Sequence, residues 1–252
     1  MGGGSGNVPA VMGGVKKIPP PLDEKKLKQV ETALKKGDVA AFVMEPVLIN
    51  LGVEIPGQAF MRGVLRLCRQ YGSLFVADEV ACGFGRTGEL FASEHYEIEP
   101  DIMCFAKGLS GGYGGIGAVL TTDPVYEKVQ DKLACYSTYG WHPLGVEAAL
   151  ATLRYMIDNR EELLENVRER SQQLRTALSS MGFKKGGRIS MIGLAAAVDL
   201  EQEDYATKVK EKCQDGGLLV TSTGTKLALY PPLTVDEDTV EKAMLILQES
   251  CG

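Results

Sequence analysis

A chain of 252 residues is long enough to bury one large core or two ordinary ones, and 44% hydrophobic with 24% charged residues is the composition of a globular protein. The net charge of -6 is spread along the chain with no basic stripe, which argues against nucleic acid, and no apolar run approaches the roughly 18 residues of a membrane span. A small-molecule partner is therefore expected, without nucleic acid or membrane.

Residues 1–14, with MGGGSG at their start, read as a flexible leader or linker and carry neither the charged nor the apolar segment of a signal peptide. After Pro19, Pro20 and Pro21, Asp23 can cap a helix bearing Leu27, Val30 and Leu34 on one face, with Gly37 beyond its end. The run AAFVMEP is too short for a helix and predicts a buried strand closing at Glu45 and Pro46. An amphipathic helix over 59–70 then leads to a strand over 73–77 that ends at Asp78. A further strand over 102–106 runs into Lys107, and another is expected over 116–120. Strand, helix and strand in alternation predict a mostly parallel α/β sheet.

From Pro143 the pattern changes to two long helices, over 146–156 and 161–181. Strands over 190–199, 218–221 and 226–230 and a closing helix over 236–248 follow, which together predict a smaller α+β domain. The six cysteines have no CxxC pairing, and a reducing cytoplasm suits them better than secretion. His95 and His142 lack partners at metal-ligand spacing, so packing or hydrogen bonding is expected of them and no metal site is expected.

Glu45, Asp78 and Lys107 each end an apolar run, and in an open parallel sheet ligands bind beyond the carboxyl ends of the strands. Each also has an ordinary reading: a strand-end Asp or Glu caps the next turn, and a strand-end Lys points to solvent. The glycines of VADEVACGFGRTG and PDIMCFAKGLSGGYGGIGA strengthen the functional reading, because they leave little side-chain bulk near the strand ends.

The segments FVMEPVLINLGVEIP, VADEVACGFGRTGELF, PDIMCFAKGLSGGYGGIGA, STYGWHPL and ALYPPL resemble, in order, motifs of the class III aminotransferases; DEVACGFGRTG most resembles the omega-amine branch. The resemblance implies the α/β fold of type I pyridoxal-phosphate transferases, with a partial large domain over 15–142 and a small domain over 143–252. It implies pyridoxal 5'-phosphate as cofactor. Lys107 would form the Schiff base with the cofactor aldehyde and later carry the substrate proton; lysine, unlike arginine, can shed the proton that blocks attack. Asp78 would pair with the pyridine nitrogen, and Val80 would pack on the ring face unless it is simply a core valine. Glu45 would lie near the cofactor or be a plain turn residue. Thr138 would reach the cofactor phosphate in a neighbouring subunit, implying a homodimer, or cap the helix that follows. Arg86 reads as structural, and Trp141 as a core ring rather than an entrance wall.

Two positions depart from the wider family. Ala81 stands where many members have a glutamine to the cofactor's phenolic oxygen, and Ala228 where many have an arginine for an alpha-carboxylate. The second departure favours a donor without an alpha-carboxylate, or one whose carboxylate is bound elsewhere. The family's N-terminal part, with its phosphate-binding turn and ring-stacking aromatic, has no counterpart in the sequence, which leaves room for a segment or chain supplied from elsewhere. The expected function is transamination from a primary amine or omega-amino acid to a 2-oxo acid. The alternative is a non-catalytic or partner-dependent piece that keeps a dimerisation or scaffold surface.

Overall fold

The computed structural model of the chain describes residues 14–130, 137–138 and 140–252. Residues 1–13 of the expected leader, together with Cys135 and Tyr139, lie outside the described residues. Helix α1 (Glu24–Leu34) begins where the Asp23 side chain accepts the Lys25 N–H at 3.0 Å, and it turns Val30 and Leu34 inward. Helix α2 (Gln58–Tyr71) buries Phe60, Met61, Val64, Leu67 and Cys68 and stops at Gly72, whose φ of 68° continues no helix.

These helices cover one face of a four-stranded sheet in the order β1 (Ala41–Met44), β2 (Leu74–Asp78), β3 (Ile102–Phe105), β4 (Ala118–Thr121). The first three strands are parallel, and β4 runs antiparallel to β3. Phe42 and Met44 pack with the helix core, so Val43 between them points to the opposite face, where it is 61% exposed. The buried carboxylate of Asp101 ties the centre together. One of its oxygens accepts the Phe75 N–H at 2.7 Å, and the other pairs with an Arg69 nitrogen at 2.9 Å. A carboxylate removed from water is tolerated when both oxygens are met in this way.

Beyond β4 come a short helix, α3 (Asp123–Val129), and the longer α4 (Pro143–Asp158). Ala149, Leu153 and Met156 of α4 pack with Phe84, Phe105 and Leu109 beside the first sheet. Helix α5 (Arg160–Ser180) instead sends Val167, Leu174 and Leu178 into the core of a second, antiparallel sheet. The packing partner therefore changes between α4 and α5, while the division expected at 142/143 falls at the start of α4.

The second sheet has the order β5 (Arg188–Ile192), β6 (Ala195–Asp199), β8 (Lys226–Leu229), β7 (Thr221–Thr223). It is covered by α5, α6 (Glu203–Asp215) and α7 (Glu237–Cys251). The single strand expected over 190–199 is a hairpin, because Gly193 at φ 53° turns the chain between β5 and β6. Helix α6 was not expected; only Ala206, Val209 and Cys213 of it are buried, too sparse an apolar stripe to stand out among its charges. No described helix is long and apolar enough to cross a membrane.

The two sheets meet along a seam of small side chains. Ala195 and Ala197 of β6 and Ala228 of β8 pack against Val47, Ile49, Val53, Cys82 and Ala92. Ala196 and Val198, alternating with those alanines, face the other way into the second core. Polar contacts pin the seam at both ends: the Leu194 N–H donates to Arg86 O at 2.9 Å, Arg86 Nη1 donates to Leu194 O at 3.0 Å and Pro231 O at 2.5 Å, and Ser190 Oγ donates to Val53 O. The closest approach is at Gly193, where an added Cβ would meet Thr87 C at 2.3 Å and Arg86 O at 2.6 Å. Replacing Gly193 by alanine is expected to destabilise the protein by roughly 2–4 kcal/mol in urea unfolding, from backbone overlap and the left-handed φ together. Gly182→Ala, where an added Cβ meets nothing within 4 Å, should be nearly neutral in the same measurement.

Candidate active site

The parallel register aligns the ends of three strands. Met44 lies beside Ala77, and Asp78 lies beside Cys104, so Glu45, Asp78 and Lys107 emerge along one edge of the sheet. Their charges act on one another. Glu45 is half-buried, and burial raises its pKa above the ordinary value; the negative charge of Asp78 adds to this. The Ile49 N–H at 3.1 Å, the Asn50 Nδ2 at 3.3 Å and the Lys107 ammonium oppose the shift. Asp78 Oδ1 accepts the Val80 N–H at 3.1 Å, a tight turn that orients the carboxylate. Val80 is half-buried.

Lys107 opens a short 3-10 turn, Lys107–Ser110, with φ at 41°. For a residue with a Cβ that conformation costs on the order of 1–2 kcal/mol, and such strain collects at functional positions. Lys107 is exposed among the described residues. Thr138 is likewise exposed, on the connection leading to α4; the phosphate role expected of it concerns a neighbouring subunit.

The seam forms the adjoining wall. Tyr230 donates its hydroxyl to Ile49 O at 3.0 Å, and burial together with the nearby Glu45 pushes its pKa up to about 12. Ala81 and Ala228 both sit in the same apolar cluster. Lys226 offers no substitute for an arginine at 228: its Nζ donates to Leu51 O at 3.0 Å and pairs with Glu54 at 3.6 Å.

Glu79 escaped the sequence reading. It is fully buried, accepts N–H bonds from Ala92 at 3.0 Å and Ser93 at 2.8 Å, and receives the Cys82 thiol at 3.3 Å. The signal was present in two adjacent carboxylates at a strand end, because alternation sends one outward and one inward. Arg86 is structural, as its contacts across the seam show. His95 sits within hydrogen-bonding distance of Thr87, 3.1 Å from its carbonyl oxygen and 3.0 Å from its hydroxyl. Trp141 is not a core ring: it is 87% exposed beside Thr138 and His142.

The family model for class III aminotransferases matches residues 7–250. A probable mitochondrial ornithine aminotransferase of Caenorhabditis elegans is 36% identical, over 88% of this chain and 52% of its own length. A putrescine aminotransferase of Pectobacterium atrosepticum is 32% identical, over 88% of this chain and 48% of its own length. Among solved structures, a transaminase from the marine bacterium Virgibacillus superposes with a TM-score of 0.84 at 30% identity, covering 90% of this chain and 56% of that one. A thermostable omega transaminase from Pseudomonas jessenii gives 0.84 at 30% identity, covering 90% and 55%. The chain thus spans about half the length of the curated relatives it matches.

Glu45 sets a sign for the pH dependence of stability. Its folded-state pKa lies above the ordinary 4.5, so the stability linked to its proton is full below that value and is lost as pH rises through the raised pKa. The Glu45→Gln protein lacks this titration. Urea unfolding at a series of pH values should therefore show the variant gaining on the wild type from about 4.5 toward neutrality, with a constant difference counting against the assignment.

Proposed function

The chain belongs to the class III aminotransferases, and on that footing we propose that it moves an amino group from a primary amine or omega-amino acid to a 2-oxo acid, using pyridoxal 5'-phosphate held on Lys107. The observation that carries this reading is the convergence of Glu45, Asp78 and Lys107 at the ends of three adjacent parallel strands. The donor set suits the cofactor: an exposed amine for its aldehyde, a carboxylate for its ring nitrogen, and an apolar valine for its ring face. When bound, the cofactor supplies an electron sink that lets a proton leave the carbon bearing the amino group.

Each residue of this chain then has a task. The Lys107 amine would hold the cofactor through its aldehyde and, in each half reaction, would carry the proton between the carbon bearing the amino group and the cofactor. The Asp78 carboxylate, oriented by the Val80 N–H, would pair with the ring nitrogen and keep it protonated. Glu45, held by Ile49 and Asn50, lends a second carboxylate beside them. Thr138 would donate to the phosphate in a second subunit, making the working form a homodimer.

The apolar wall bears on the donor. A buried methyl at Ala228, with Lys226 committed to Leu51 and Glu54, offers nothing planar and cationic to an alpha-carboxylate. A second reading, that the chain works only with a partner, draws support from the largely exposed Val43, Val119 and Leu120 on the outer strands of the first sheet.

Adding pyridoxal phosphate to the purified chain should give a yellow band that borohydride bleaches and that Lys107→Ala lacks. A folded sample without that band would overturn the independent enzyme in favour of the partner-dependent one. In the active form, a primary amine should be a better donor than the alpha-amino acid of matching side chain by about tenfold or more in kcat/KM. The reverse order would remove the specificity reading while leaving the reaction in place.

A further inference from the structure

We propose that Phe84 is a positioning residue that holds the backbone of Lys107 in its left-handed conformation. The proposal rests on Lys107 being the reactive amine. Two non-glycine residues with positive φ, Phe84 at 55° and Lys107 at 41°, sit on different loops and meet through one glycine. An added Cβ at Gly108 would lie 3.1 Å from Phe84 Cβ, 3.3 Å from its Cδ2 and 3.5 Å from its Cγ. The turn carrying Lys107 therefore already rests on the base of the Phe84 side chain.

Both feet of that turn enter the same cluster. Phe105, two residues before Lys107, and Leu109, two residues after it, are buried with Phe84. The Phe84 ring packs against Phe105 with centroids 5.4 Å apart and meets Phe91 edge-on at 5.8 Å, while Phe91 and Phe105 stand 5.2 Å apart. Within the turn, the Leu109 N–H donates to Ala106 O at 2.9 Å. Lys107 is thus the exposed apex of a short arch that packing fixes on both sides and underneath.

Phe84 is itself pinned. A Cβ at Gly83 would fall 2.8 Å from Glu79 O, and the Gly85 N–H donates to Leu90 O at 3.1 Å. The loop carrying Phe84 is thus held by backbone contacts of its own, independent of the Lys107 turn. A ring serving only to fill the core would be replaceable by any side chain of similar volume. One that sets the height of the arch must keep its first carbons against Gly108.

The test reads Lys107 directly, without cofactor. Acetic anhydride labelling across a pH series, followed by peptide mass spectrometry, gives the rate and pH midpoint of Lys107 relative to the exposed Lys36. Phe84→Gly and Gly108→Ala should each change the relative rate of Lys107 by about threefold or more and move its midpoint. Phe84→Leu keeps Cβ, Cγ and a δ carbon at Gly108 and should behave as wild type, as should Phe91→Leu, which loosens the same cluster away from the contact. A wild-type rate and midpoint in folded Phe84→Gly, or an equal change in Phe91→Leu, would overturn the proposal. Should Phe84→Gly fail to fold, Gly108→Ala decides it, because unaltered Lys107 labelling there is equally fatal. Failure of the wild type to give a borohydride-reducible yellow band would count against the transaminase reading and leave this outcome separately legible.

Discussion

The carboxylate of Glu79 is the constraint on which the site depends. Adjacent Asp78 and Glu79 leave the end of β2 on opposite sides, and a fully buried carboxyl group is tolerable only if partners come to meet it. The donors here are the N–H groups of Ala92 and Ser93, which fixes both ends of the loop from 80 to 91. Everything that loop carries inherits its position: Val80 beside Asp78, Phe84 beneath Gly108, and Arg86 across the seam on Leu194 and Pro231. One inward carboxyl group thus fixes the place of its outward neighbour and of the contact between the two sheets.

The seam adds a second constraint, which acts on chemistry through size. Alanines at 195, 197 and 228 let the second sheet approach closely enough for Tyr230 to reach Ile49 O and for Lys226 to reach Leu51 O. Ile49, which receives Tyr230, also donates its N–H to Glu45, and Asn50 between the two anchored residues donates to it as well. The placement of a site carboxylate therefore depends on the packing of the second sheet, although Glu45 belongs to the first. Larger side chains at 197 or 228 would separate the sheets and leave the 46–54 loop without its far support.

The first sheet and the strand-end trio were legible because both follow from periodicity. Short apolar runs bounded by turns gave the parallel strands, and polar residues that stop such runs stood out. Glu79 was missed because a carboxylate beside the more conspicuous Asp78 reads as part of the same turn. The β5–β6 hairpin was merged into one strand because both faces of β6 are buried, one against each core, which erases the alternation that marks a strand end. Residue type alone places Trp141 in the core, whereas exposure is a property of the assembled surface that type does not fix. The support of Lys107 by Phe84 was beyond reach, since it joins positions on separate loops through a contact with no local pattern.

The outer strands bear on the same site. β1 and β4 flank the strands that carry Asp78 and lead to Lys107, and β1 itself ends at Glu45. Val43 on β1 and Val119 and Leu120 on β4 are largely exposed, so polypeptide packed on them would gain apolar burial beside the strand ends. Such a cover would also wall the cofactor space, restrict water around Lys107 and strengthen the interactions among Glu45, Asp78 and Lys107. Cofactor binding and burial of these side chains would then be linked: whatever stabilised the covered state would raise affinity for the cofactor, and bound cofactor would favour the cover in return.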